Sequence, residues 1–387
     1  MFKILTYNHI SAAGLDKFPR DRYEVASALP DPDAILLRSF DLHSVPIPAS
    51  VKAIGRAGAG VNNIPVAECS RRGIPVFNAP GANANAVAEL TLAGLLLAAR
   101  RIPAAWEFAR HLEGDDEALR QQVEQGKKRF AGFELAGKTL GVVGLGAIGV
   151  RVANAATALG LNVVGYDPLM TVESAWRLSS AVARAASLDE LVAQADFVSL
   201  HIPLNDQTRQ LLNGPRLALM KPGATLLNFS REGVVDEAAV CAALDSGKLL
   251  TYVCDFPTRA VLDHPRAIVL PHLGASTAEA EDNCASMVAE RLREFLEHGH
   301  IRHSVNFPEV VMPRVGGVRL GIANENVPGM VSQISSALAE ANLNIVDLLN
   351  KSRGDYAYTL VDLEGEVPAA TLERIRAIRG VLSARVI

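Results

Sequence analysis

Cysteine is scarce in this chain. Its four thiols (Cys69, Cys241, Cys254, Cys284) are scattered and form no CxxC pair, so the framework of a disulfide-stapled domain is absent. Reduced structural thiols are expected, and no metal site. An excess of one charge is missing as well. Lys and Arg total 38 against 42 Asp and Glu, and the net charge of −4 provides no global field for nucleic acid or an anionic membrane. Long apolar runs are lacking: none approaches the roughly 20 residues of a membrane span. The start, MFKILTYNHI, is too short and too polar for a secretory signal. The expectation is a cytoplasmic protein with neither nucleic-acid nor membrane partners. What remains is an ordinary globular composition, 49% hydrophobic and 21% charged. A length of 387 residues allows two or three domains, each with a sizeable core.

The most informative stretch runs from Thr139 to Pro168, TLGVVGLGAIGVRVANAATALGLNVVGYDP. An apolar run, Leu140 to Val143, ends at Gly144, and the glycines recur as Gly144, Gly146 and Gly149. Apolar residues then take helical spacing from Ala147 and Ile148 to Leu159, and a second apolar run, Asn162 to Tyr166, ends on Asp167. This is the strand, glycine turn, helix, strand and acid of a dinucleotide-binding unit. The glycines permit the tight turn, the approach of a pyrophosphate and close helix–strand packing, and the free N–H groups at the helix start face the phosphates. Asp167 is spaced to accept hydrogen bonds from a ribose diol, and its charge would repel a 2′-phosphate. The cofactor expected is NAD.

Residues 1 to about 80 read as short strands (Phe2 to Thr6, Ala34 to Leu37, Val51 to Gly55, Ile74 to Phe77) separated by turns, which predicts a parallel doubly wound sheet. Arg38 and Arg56 each follow an apolar strand, and Arg56 opens the glycine-containing turn RAGAGVNN. Two guanidinium groups at equivalent strand ends suggest an anion site. Ala84 to Arg101 is helical and apolar nearly all round, as in a buried helix, whereas the charged stretch Glu113 to Lys138 reads as a surface connection. Strands and helices alternate onward to Leu270, a long amphipathic helix spans Ser276 to His298, and His303 to Pro313 reads as a linker. From Arg314 a βαββαβ order predicts a small ferredoxin-like module with no catalytic cluster, suited to regulation or oligomerisation. The fold class expected is α/β: two doubly wound (Rossmann-like) parallel-sheet domains plus the βαββαβ module. The predicted domains are a discontinuous substrate-binding domain (1–96 and 286–312), an NAD-binding domain (97–285) and the terminal module (314–387).

Hydride exchange between a nicotinamide and a carbonyl needs a cation for the carboxylate and carbonyl, an acid/base for the hydroxyl proton, and a group to orient that base. Arg231 stands at a strand end in NFSREGVVDE, and His272 at another in LPHLGAST. An imidazole titrates near neutrality, which suits reversible proton transfer. His9, His43, His111, His264, His298, His300 and His303 read as structural.

Along nearly all of residues 1 to 310 the sequence resembles the D-2-hydroxyacid dehydrogenase family, through GRAGAGVNNI, GLGAIG with Asp167, HIPL, NFSREGVVDE and PHLGAST. RAGAGVNN and a terminal module that resembles an ACT domain point to the branch that oxidises 3-phospho-D-glycerate to 3-phosphohydroxypyruvate at the start of L-serine biosynthesis. The resemblance implies that Arg231 binds the substrate carboxylate and carbonyl, that His272 is the acid/base, and that Arg38, Arg56, Ala57 and Gly58 hold the anionic substrate. Around the cofactor it implies Gly144, Gly146, Ala147, Ile148, Gly149, Asp167, His201, Ile202, Pro203, Thr208, Asn228, Phe229, Ser230, Asp255, His272 and Gly274. The family's glutamate partner for the histidine is missing: Arg259 and Ala260 stand there, leaving Asp255 or Asp263 as the orienting acid, or none. Asn324, Asn326 and Asn344 match positions that face an amino-acid effector such as L-serine, with buried asparagines at a sheet edge as the alternative. A homodimer or homotetramer is implied. Competing readings are a hydroxypyruvate or glyoxylate reductase and a non-catalytic NAD-sensing regulator.

Overall fold

A computed structural model describes residues 1–387 as two units, Met1–Asn83 with Ala278–Ile387, and Ala84–Thr277. The predicted boundaries at 96/97 and 285/286 both fall inside continuous helices, Ala84–Ala99 and Ala278–His298. A helix packs as one rod, so each goes whole to the unit it covers.

The first unit holds a five-stranded parallel sheet in the order Tyr23–Ala26, Phe2–Tyr7, Ala34–Leu37, Ala53–Arg56, Val76–Phe77. Ala34–Leu37 is buried along its whole length, as a central parallel strand covered on both faces must be. The helix Ala278–His298 lays Val288, Leu292 and Phe295 on this sheet, and Gly55 leaves the space that Val288 and Leu292 occupy. The stretch expected as a linker is a strap. Phe307, Val310 and Met312 are core residues, and buried Asn306 accepts from Val76 N (2.9 Å) and donates to Ser70 Oγ and Ile74 O (3.0 Å each). Its prolines and absent period concealed anchors that act singly.

The terminal module has the expected βαββαβ order and an antiparallel sheet, Ile345–Arg353, Tyr356–Leu363, Val318–Glu325, Val381–Val386, covered by helices Met330–Glu340 and Ala369–Arg376. Buried beneath it, Arg319 donates bidentately to Asp362 (2.6 and 2.8 Å) and to the carbonyls of His298, Met312 and Pro313. These bonds join the module to the end of the long helix and to the strap.

The second unit is a seven-stranded parallel sheet in the order Ala267–Val269, Leu249–Cys254, Ala224–Asn228, Phe197–Leu200, Thr139–Val143, Asn162–Tyr166, Ala183–Arg184. Strand order reverses between Thr139–Val143 and Phe197–Leu200, the switch point where open α/β sheets bind ligands at their carboxyl ends. The stretch predicted as a connection, Glu113 to Lys138, contains the helix Asp116–Gly126, capped by Asp115 accepting from Ala118 N. It has no buried residue, so it lacks the apolar stripe that would have announced it. No helix is long and apolar enough to cross a membrane.

Candidate active site

In the second unit the implied site residues end or follow strands, on the carboxyl edge. Gly144 (φ +89°) turns the chain tightly, and a Cβ there would lie 2.5 Å from His201 O. A Cβ on Gly149 would overlap Gly144 O, whereas one on Gly146 would meet nothing within 4 Å. Only the middle glycine therefore faces open space. The helix Gly149–Ala158 begins with no side-chain cap on its free N–H groups. Asp167 grips this turn: Oδ2 accepts from Leu145 N and Oδ1 from Leu169 N, both at 2.8 Å. Each carboxylate oxygen keeps a lone pair for an incoming hydroxyl. An open backbone, an uncapped helix start and a fixed carboxylate fit the pyrophosphate and ribose of NAD.

His201 is beside the glycine turn, with Nε2 2.9 Å from Ser199 Oγ and Nδ1 buried without a partner. Burial pushes its pKa from 6.5 down to about 3, so the folded chain holds it neutral. The unfolded chain takes up that proton near pH 6.5 and the folded chain only near 3. Stability should therefore fall as pH drops through this window. Denaturant titrations across it should show a flatter acid limb for His201→Gln, and an unchanged limb would contradict the assignment. Of the neighbouring residues, Ile202 packs against Gly144, and Thr208 closes its own loop by donating to Pro203 O (2.6 Å).

Two local networks shape the edge that carries Arg231 and His272. At the end of Ala224–Asn228, fully buried Asn228 donates to Arg231 O (2.8 Å) and accepts from Ser230 N (3.1 Å) and Ser230 Oγ (2.8 Å). That turn presents Arg231, which is exposed, while the Phe229 ring turns inward against Gly94. Asp255, 2% exposed at the end of the adjacent strand Leu249–Cys254, accepts from Leu273 N and Gly274 N, both at 2.7 Å. It so clamps the loop that carries His272. The histidine has a left-handed backbone (φ +58°), and its ring stands edge-on to Phe256 at 5.3 Å. Neither acid considered for its orientation bonds the imidazole. Asp255 is engaged by the two backbone N–H groups, and Asp263 is exposed and pairs with Arg259 at 3.8 Å.

In the first unit, Arg38 and Arg56 stand at the carboxyl ends of neighbouring strands, where Ala57 N donates to Leu37 O (2.7 Å). Arg56 Nε donates to Arg38 O (3.0 Å), and its guanidinium lies across Gly58, where a Cβ would displace it. Arg38 pairs with Glu281 at 2.6 Å. Sequence reading missed Glu281, because an acid in the first turn of an amphipathic helix looks like ordinary solvated charge.

The terminal module carries a half-open cavity of about 230 Å³ lined by Asn324, Asn326, Ser332 and Asn350 among others. Buried Asn324 donates to Glu325 O (2.7 Å) and leaves Oδ1 without a partner. Asn344 is not part of this cavity. It precedes the strand that carries Asn350 and donates to Glu364 (3.0 Å).

Residues 102–274 match the family model "D-isomer specific 2-hydroxyacid dehydrogenase, NAD binding domain", and residues 318–380 match the ACT domain. A D-3-phosphoglycerate dehydrogenase of Escherichia coli is 34% identical over 348 residues, covering 87% of this chain and 81% of that protein. One from Mycobacterium tuberculosis is 37% identical over 375 residues, covering 94% of this chain. This chain spans 65% of that relative's length. Among solved structures, NAD+-bound 3-phosphoglycerate dehydrogenase of Entamoeba histolytica superposes with a TM-score of 0.60 at 25% identity, covering 79% of this chain and 98% of that one.

Proposed function

Because the chain belongs to the D-isomer specific 2-hydroxyacid dehydrogenase family, we propose that it oxidises 3-phospho-D-glycerate to 3-phosphohydroxypyruvate with NAD, the first step of L-serine biosynthesis. The observation that carries this reading is the Asp255 clamp on the His272 loop, one strand from the Asn228 turn that presents Arg231. Bound NAD supplies the hydride acceptor. Arg231 pairs with the substrate carboxylate and polarises the oxygen on C2, stabilising charge there. His272 takes the hydroxyl proton during oxidation and returns it in the reverse direction. Arg38 and Arg56 hold the phosphate, for which paired guanidinium groups are well shaped. Glu281 keeps Arg38 oriented until substrate arrives.

Substrate selectivity tests this division of labour. Losing a charge-assisted hydrogen bond of about 1.5–3 kcal/mol should lower kcat/KM of Arg56→Gln for 3-phosphoglycerate roughly 10- to 100-fold. Its kcat/KM for unphosphorylated hydroxypyruvate should change little. Equal losses on both substrates would remove Arg56 from the phosphate site. In the terminal module, the cavity of Asn324, Asn326 and Asn350 takes an amino-acid effector such as L-serine, with Asn324 Oδ1 open to its ammonium group. Exposed Ile102 and Trp106 on one short helix suit a face covered by a second copy in a cytoplasmic homodimer or homotetramer.

A further inference from the structure

Within the first unit, the terminal module meets the five-stranded sheet along a seam that holds a half-open cavity of about 470 Å³. It opens at the amino ends of Ala53–Arg56 and Val76–Phe77, the edge opposite Arg38 and Arg56. Four cations, Lys52, Arg72, Arg376 and Arg385, are among its lining residues, and no carboxylate is. Lys52, Arg72 and Arg376 each have an acid partner outside that lining (Asp33 at 2.6 Å, Glu68 at 3.5 Å, Glu373 at 2.6 Å). Arg385 has none. Its guanidinium lies 4.4 Å over the Phe295 ring and donates only to the carbonyls of Phe295 and Leu296. Carbonyls satisfy its hydrogens but leave its charge uncompensated.

A second observation points the same way. Tyr358 also lines the cavity and is 3% exposed, yet its hydroxyl is buried with no hydrogen-bond partner. Arg385 stands beside that hydroxyl without reaching hydrogen-bonding geometry. Buried polar groups of this kind ordinarily find a partner. The hydroxyl occupies space that only glycine leaves: a Cβ on Gly321 would lie 2.5 Å from it. Opposite, Ser383 Oγ bridges the two sides of the seam by donating to Gly73 O (3.2 Å).

We propose that this seam cavity binds a phosphate group, free or as a small monoester. Guanidinium and ammonium donors without a lining carboxylate select a compact anion, and the volume accommodates a phosphorylated metabolite. Ser383 and Arg385 belong to the final strand, which pairs with Val318–Glu325, the strand that carries Asn324 into the asparagine cavity. Phosphate here would therefore fasten the terminal module to the sheet through the strand pair that also lines the amino-acid cavity.

Calorimetric titration of the full chain with inorganic phosphate, and separately with glycerol 3-phosphate, tests the proposal. An Arg38→Gln/Arg56→Gln variant, which removes the cations of the opposite edge, should retain binding. Lys52→Gln/Arg376→Gln added to that background should weaken binding of both probes at least tenfold, and the tighter of the two probes in that background identifies the natural form. Tyr358→Phe provides a check against misfolding. It should leave the thermal midpoint unchanged or raised without phosphate, because it deletes an unpartnered hydroxyl, and should weaken phosphate binding severalfold. Loss of all binding in the Arg38/Arg56 variant would overturn the proposal. Parent-like affinity in both seam variants would overturn it equally.

Discussion

Asp255→Ala is expected to lower kcat for 3-phosphoglycerate oxidation about 100-fold or more, since a misplacement of about 1 Å in a catalytic group costs that much. In the proposed site Asp255 is a positioning residue. Its carboxylate receives Leu273 N and Gly274 N at 2.7 Å each, and these are the residues that follow His272. No carboxylate holds the imidazole itself, so the clamp on the backbone, with the edge contact to Phe256, sets where the ring points. Truncation leaves two N–H groups without their acceptor and frees a left-handed residue to relax toward ordinary backbone. Asp255→Asn should fall nearly as far, because an amide offers one oxygen where two are needed. The discriminating measurement is a double variant. In a His272→Phe background, adding Asp255→Ala should cost almost nothing further, because the two act as a unit. Additive losses, or a single variant with parent-like kcat, would assign Asp255 elsewhere.

The largest effect on stability is expected at Arg319. Both members of the Arg319–Asp362 pair are wholly buried, and the guanidinium also anchors the carbonyls of His298, Met312 and Pro313. Replacing Arg319 with Leu strands a buried carboxylate and should cost about 3–5 kcal/mol. For a protein of this size that corresponds to a fall of roughly 5 °C in thermal midpoint. Replacing both partners, as in Arg319→Met/Asp362→Leu, should recover most of the loss, because the desolvation penalty disappears with the charges. Denaturant midpoints of these two variants decide the matter. An Arg319→Leu variant within about 1 kcal/mol of the parent would show that the pair is incidental.

The second sheet was the most legible part of the chain. Its strands are continuous apolar runs, and Gly144, Gly146, Gly149 and Asp167 stand in an order that few other structures require. Strand ends were legible for the same reason, which brought Arg38, Arg56, Arg231 and His272 to carboxyl edges in advance. What escaped notice depends on pairings remote in sequence. Asp255 reads as a group near the cofactor, and only the fold shows it taking the backbone of Leu273 and Gly274. The match of Glu281 to Arg38 joins residues more than two hundred positions apart. Asn344 and Asn350 lie in one short stretch, and strand pairing decides which of them lines the cavity. The strap from His303 to Pro313 is held by Asn306 and a few separate apolar anchors, a pattern with no period to detect.

The direct test of the central claim is the absorbance of reduced nicotinamide when the purified chain, NAD and 3-phospho-D-glycerate are mixed at alkaline pH. Steady accumulation of NADH, with little from NADP, is the result expected of the Asp167 turn and the Arg231–His272 edge. No NADH from 3-phosphoglycerate, together with brisk oxidation of NADH by glyoxylate or hydroxypyruvate, would contradict the account.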